Sequence, residues 1–105
     1  MTADYTLDEL TEIAYLMLAK QRYHLSVKAV PVFRDYLTRR MAQPRFANAR
    51  SVRNALERAR LRQASRLVAA GGTLTKDDLM RLDPTDFLAS RVFSDQPPPL
   101  PKATL

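Results

Sequence analysis

Residues 46–67 read FANARSVRNALERARLRQASRL. Small and apolar side chains recur there every three or four positions, the pattern of one long amphipathic helix. The spacing predicts a helix over Ala49–Ala70, with Asn48 as its N-cap and Gly71 at its C-cap. Val52, Ala55, Leu56, Ala59, Gln63 and Leu67 share one stripe. Leu61, Ala64 and Val68 form a second, weaker one, so the helix is expected to be central and covered on both sides. Seven arginines fall between Arg45 and Arg66, with one acid, Glu57, among them. At roughly 100° per residue, Arg50 lies almost opposite the main stripe and Arg53 about a quarter turn from it. Arg50 is therefore expected to point away from the core. So much fixed charge on one helix calls for an anionic partner, a solvated face, or both.

Working outward, Thr6-Leu7-Asp8-Glu9 has the form of a capping box. The helix after it is expected to run to about Gln21, with Leu7, Leu10, Ala14, Met17, Leu18 and Gln21 sharing one face. Tyr23-His24-Leu25 reads as a short extended link. Ser26 is expected to cap a second helix that ends near Met41 and buries Val30, Phe33, Leu37 and Met41. Pro31 is then its fifth residue, at the limit of what a proline ring tolerates, so an irregular first turn is expected. Gln43–Ala47 is a loop, because the residue before Pro44 avoids helical geometry. Thr75 with Asp78, and Asp83 with Pro84 and Asp86, signal two short helix starts. Leu79, Leu82, Phe87, Leu88, Val92 and Phe93 are expected to face inward. The last stretch, SDQPPPLPKATL, is proline-rich and expected to be disordered. Its PPPLP run also has the form of an SH3-type ligand.

The 105 residues carry 17 lysines and arginines against 11 acids, a net charge of +6. Two adjacent glycines, Gly71 and Gly72, are too few for a turn-rich β fold. An all-α domain over residues 4–93, a small bundle of four or five helices, followed by a tail over 94–105, is therefore expected. Cysteine is absent, which excludes disulfides and thiol chemistry. No apolar run approaches the roughly 20 residues of a membrane span, and no basic leader opens the chain. His24, the single histidine, has no companion ligands for a metal and is expected to pack at the helix 1–2 link. Asp77, Asp78, Asp83 and Asp86 sit where helix starts favour negative charge. Ser51 and Ser65 lack partners for nucleophilic chemistry. A basic balance suits nucleic acid, nucleotide phosphates or an acidic protein face, and arginine's planar fork suits all three.

Asn48-Ala49-Arg50-Ser51-Val52-Arg53-Asn54 resembles the sensor-2 motif of the AAA+ ATPases. There a Gly/Asn-Ala-Arg start opens a helix of the C-terminal lid domain. The wider run Pro44–Ala64, the opening Asp4–Leu10 and Ala89-Ser90-Arg91-Val92-Phe93 resemble one branch, the CbbX family of red-type Rubisco activases. The resemblance covers about residues 4–93. It implies a helical lid whose arginine, Arg50 by alignment with Arg53 as second choice, reaches the γ-phosphate of ATP held on a separate α/β domain. Asn48 belongs to the same motif. The resemblance also implies Mg²⁺ beside that ATP, neighbouring subunits of a hexamer, and Rubisco blocked by sugar phosphates as the assembly's target. It implies a cytoplasmic location, or the plastid stroma in a red-lineage alga. Tyr5 and Tyr15 are candidates to border the adenine.

The departures are as clear. No Gly-x-x-x-x-Gly-Lys-[Ser/Thr] run exists, so the chain is not expected to hydrolyse ATP alone. The sequence also admits two competing readings. One is a small basic nucleic-acid binder, disfavoured because the arginines spread around the helix and no aromatic platform accompanies them. The other is a helical adaptor without a nucleotide partner.

Overall fold

The computed structural model describes residues 5–93. Five helices occur in the order α1 (Leu7–Lys20), α2 (Ala29–Met41), α3 (Asn48–Ala70), α4 (Lys76–Met80) and α5 (Pro84–Leu88), with a 3-10 turn at Arg91–Phe93. The tail over 94–105, and with it the SH3-ligand motif, lies outside the described residues. The all-α architecture expected from the sequence is the one observed, as a bundle built around α3.

Local chemistry accounts for most boundaries. The Thr6 hydroxyl accepts from the Glu9 N–H at 3.1 Å, and the Glu9 carboxylate accepts from the Thr6 N–H at 2.8 Å. Thr75 and Asp78 form the same reciprocal pair at 2.9 and 3.0 Å. The Thr75 amide, and then its hydroxyl, hold the Asp78 carboxyl below the usual carboxylate range. This box therefore supports α4 above the ordinary Asp pKa and loses its contribution as pH falls through the lowered one. Pro84 opens α5, where its missing N–H costs nothing. Gly71 ends α3 with φ 66°, a left-handed geometry that disfavours other residues.

The second helix starts later than expected. Ser26 accepts from the Ala29 N–H through both its hydroxyl (3.1 Å) and its carbonyl (2.9 Å), but within a turn that precedes the helix. Ala29 is the first helical residue, so Pro31 is the third, where no helical hydrogen bond is lost. The expected irregularity has no cause. The link His24–Leu25 is a short strand, β1, which pairs in parallel with β2 (Arg81–Leu82). This pairing joins chain segments far apart in sequence and was not anticipated.

The core gathers Leu10, Ala14 and Leu18 of α1, Phe33 and Leu37 of α2, Val52, Leu56 and Ala59 of α3, and Leu82 and Phe87. Tyr36, absent from the expected α2 stripe, is buried at 7% exposure, and its ring lies 6.4 Å from that of Phe87. The second α3 stripe stays bare instead of being covered: Leu61 is 70% and Val68 82% exposed. Leu79 and Leu88 are also exposed rather than inward.

Polar groups from α3 fasten the C-terminal third. Gln63 is 2% exposed. Its Nε2 lies 3.2, 3.1 and 2.9 Å from the carbonyls of Asp78, Leu79 and Arg81, so its two N–H groups serve three acceptors with one of them shared. A five-residue helix leaves most of its carbonyls without helical partners, and this amide takes up three at the α4–β2 junction. Arg66 grips the Asp86 carboxylate in a two-pronged pair, both contacts at 3.0 Å. Asp86 itself is 1% exposed. Arg62 donates to the Asp86 carbonyl at 3.0 Å. Arg81 binds the carboxylates of Asp77, Asp78 and Asp83.

Gln63→Leu keeps the apolar stripe but strands these carbonyls. It should lower stability by about 2–3 kcal/mol, read as the shift of the urea midpoint at unchanged slope. A change under about 0.5 kcal/mol would show that water serves the carbonyls equally well.

Candidate functional site

The entry to α3 is built by an unusual backbone. Within four residues the chain twice adopts positive φ, at Arg45 (67°) and Asn48 (45°). Asn tolerates that region better than any residue but Gly, which gives a physical reason for Asn at the head of the motif. Asn48 is not the side-chain cap expected from the sequence. The cap position falls to Ala47, whose N–H donates to the Ser51 hydroxyl at 2.8 Å. The Arg50 N–H donates to the Ala47 carbonyl at 3.0 Å. The Asn48 Oδ1 is buried and has no hydrogen-bond partner among the described residues. The Asn was thus read correctly as the head of the helix, but for the wrong reason. The serine that reaches back from the next turn was the missed signal.

Arg50 and Arg53 follow on the first turns. Both are exposed. Neither forms an ion pair or side-chain hydrogen bond among the described residues, and Glu57 pairs with neither. The first turn of α3 carries no acid, so nothing offsets the positive end of the helix dipole. Arg53 also borders a groove of about 350 Å³ between α1 and α3, lined further by Met17, Lys20, Gln21, Leu56 and Glu57. The site is therefore two free guanidinium groups beside a helix N-terminus, an arrangement suited to an anion.

Other arginines of α3 have structural work. Arg60 stacks on Tyr23 at 4.7 Å and donates to the Gln21 side chain at 2.6 Å. Arg62 and Arg66 hold α5, as above. Tyr5 and Tyr15 are partly exposed, at 44% and 36%. His24 places Nε2 3.3 Å from Asp77 Oδ1 at the β1–α4 junction. Among the described residues no group of three or more His, Cys, Asp or Glu side chains could hold a metal ion. No described helix is long and apolar enough to cross a membrane.

A sequence model of the family described as AAA lid domain matches residues 6–96. The chain is 59% identical over 96 residues to the plasmid-borne protein CbxX of Cupriavidus necator, covering 90% of this chain and 30% of that protein. It is 55% identical over 91 residues to the chloroplastic ribulose bisphosphate carboxylase/oxygenase activase of Cyanidioschyzon merolae, covering 86% and 31%. A CfxQ homolog of Galdieria sulphuraria is 48% identical over 94 residues, covering 89% and 31%. The chain thus spans about a third of the length of the curated relatives it matches.

The left-handed backbone at Asn48 gives a direct test. Asn48→Gly should leave the thermal midpoint nearly unchanged, whereas Asn48→Val should cost about 1–3 kcal/mol because a β-branched side chain is strained at positive φ. Equal midpoints for the two variants would mean that α3 starts with ordinary geometry.

Proposed function

This chain belongs to the AAA lid domain family, and we propose that it is the nucleotide-sensing lid of an ATPase of the red-type Rubisco activase kind. The observation that carries the proposal is Arg50: exposed, unpaired among the described residues, and set on the first turn of a long helix, a turn that carries no acid. A sensing arginine must be free of internal carboxylates, since a lid responds to nucleotide only through a contact that differs between bound states. Arg50 is available to a terminal phosphate held by another domain. Arg53, one turn on, is available to a neighbouring oxygen. Asn48 supplies the backbone turn that aims them.

The residues present fit a nucleotide contact of this limited kind. ATP held on an α/β domain supplies the phosphoanhydride bond whose hydrolysis drives the assembly. Mg²⁺ belongs with acidic groups of that same domain. The lid's own contribution is charge and position: a planar guanidinium offered at the γ-phosphate, on a helix anchored by its buried Val52–Leu67 stripe.

The reading extends to partners. The lid, over residues 4–93 with 94–105 as an appended tail, docks on the α/β domain of its own ATPase and on neighbouring subunits of a hexamer. The exposed Leu61 and Val68 are surfaces for such contacts. The target of the whole assembly is inhibited Rubisco, contacted by parts other than this lid. The setting is the cytoplasm, or the plastid stroma where the source is a red-lineage alga.

Arg50→Ala in the full-length ATPase should lower ATP turnover at least about tenfold, equivalent to ~1.4 kcal/mol of lost transition-state stabilisation. The isolated chain carrying the same change should keep its thermal midpoint, because the side chain touches nothing that holds the fold. Normal turnover in the full-length variant would remove Arg50 from the nucleotide site.

A further inference from the structure

At the C-terminal end of α2 the surface becomes strongly basic. Arg40, Arg45, Arg58, Arg62 and Arg91 line one cleft of about 580 Å³, and its lining includes no Asp or Glu. They come from α2, the link before α3, α3 itself and the 3-10 turn, so no single helical wheel reveals the group. Arg40 in the last turn of α2 offsets that helix's dipole. Dipole compensation explains one or two cations there, not five.

The charges are largely unanswered. Arg45, Arg58 and Arg91 are exposed and form no ion pair or side-chain hydrogen bond among the described residues. The Arg40 guanidinium rests 5.6 Å from the Phe46 ring centroid. Its Nη1 is nevertheless buried with no hydrogen-bond partner among the described residues, an uncommon state for a charged donor. Tyr36 lines the same cleft from the core side. Burial pushes its phenol pKa up, against the opposing pull of Arg40, Arg58 and Arg62. Five like charges around one cleft repel each other, and an anion brought among them relieves that repulsion.

We infer that this cleft docks a carboxylate-rich segment of a partner protein. Compact phosphate sites draw on backbone N–H groups at helix N-termini. The α-helix ends at this cleft are instead the C-termini of α2 and α5, whose carbonyls disfavour a concentrated dianion, and at the start of the 3-10 turn the Val92 N–H is already taken by the Ser90 hydroxyl at 3.2 Å. Carboxylates along an extended segment present single charges roughly 6–7 Å apart on one side, and each can pair with a separate arginine fork. Single-stranded nucleic acid would want an open aromatic platform, whereas the ring here, Tyr36, is buried in the core. Arg58 lies eight residues beyond Arg50, about 12 Å along the helix axis. The inference stands independently of the nucleotide role proposed for Arg50.

The test is a titration of the isotope-labelled 105-residue chain with a hexaglutamate peptide at low salt, followed by amide chemical shifts. Perturbations should centre on Gln43–Arg45, Arg58 and Ser90–Arg91, and fade as salt is added. The double variant Arg58→Gln, Arg91→Gln should bind at least about tenfold more weakly, the loss of ~1.4 kcal/mol expected for two charge pairs. The double variant Lys28→Gln, Lys76→Gln, an equal loss of charge away from the cleft, should bind like the parent. The inference is overturned if the double variant binds as tightly as the parent or if the peptide does not bind. It is equally overturned if inorganic pyrophosphate or a single-stranded oligothymidylate binds this cleft more tightly than the peptide does.

Discussion

The amide of Gln63, buried on the main stripe of α3, is the contact on which the rest of the bundle depends. α4 and α5 are five residues each, far below the length at which a helix is stable alone. They persist because α3 reaches into them with Gln63, and then with the Arg66–Asp86 pair and the Arg62 bond to the Asp86 carbonyl. Once the C-terminal third is fastened this way, Leu82 and Phe87 complete a core with Leu10, Phe33, Leu37 and Val52. A pair such as Arg66–Asp86 adds little net stability by itself, because the buried Asp86 carboxylate must be desolvated while Arg66 stays 30% exposed. Its consequence is register: it fixes which face of α3 is inside.

That register decides the function of the remaining arginines. With the Val52–Leu67 stripe locked inward, Arg50 and Arg53 cannot turn to the core and stand free at the helix start. The same helix thus uses one side-chain type in two ways. Arg60, Arg62 and Arg66, toward its middle and C-terminal half, are fasteners with protein partners. Arg50, Arg53 and Arg58 keep their charge available to solvent and to partners.

Much of this was legible in the sequence, because it rests on short-range chemistry. The Thr6–Glu9 and Thr75–Asp78 boxes, Pro84 at a helix start and Gly71 at a helix end act within four residues. The α3 stripe follows from period alone, and Arg50 was placed outside the core by the same period. What escaped was non-local. The two-residue pairing of β1 with β2 has no periodic signal. Ser26 has the sequence form of a helix cap, but its hydroxyl closes a turn just before the helix, and the start two residues later moves Pro31 from the fifth helical position to the permitted third. Periodicity marked Leu61 and Val68 as apolar, but it cannot say whether a neighbour covers them. The unpartnered Asn48 oxygen and the five-arginine cleft exist only once separate segments meet in space.

The central claim is that a free guanidinium on the first turn of α3 distinguishes nucleotide states. The most direct measurement is the affinity of this chain for its α/β ATPase domain, taken with a slowly hydrolysed ATP analogue and again with ADP. Association should be tighter with the ATP analogue by at least about tenfold, or ~1.4 kcal/mol, and Arg50→Ala should abolish the difference while leaving the ADP-state affinity intact. Equal affinities in the two nucleotide states, or a difference that survives the loss of Arg50, would contradict it.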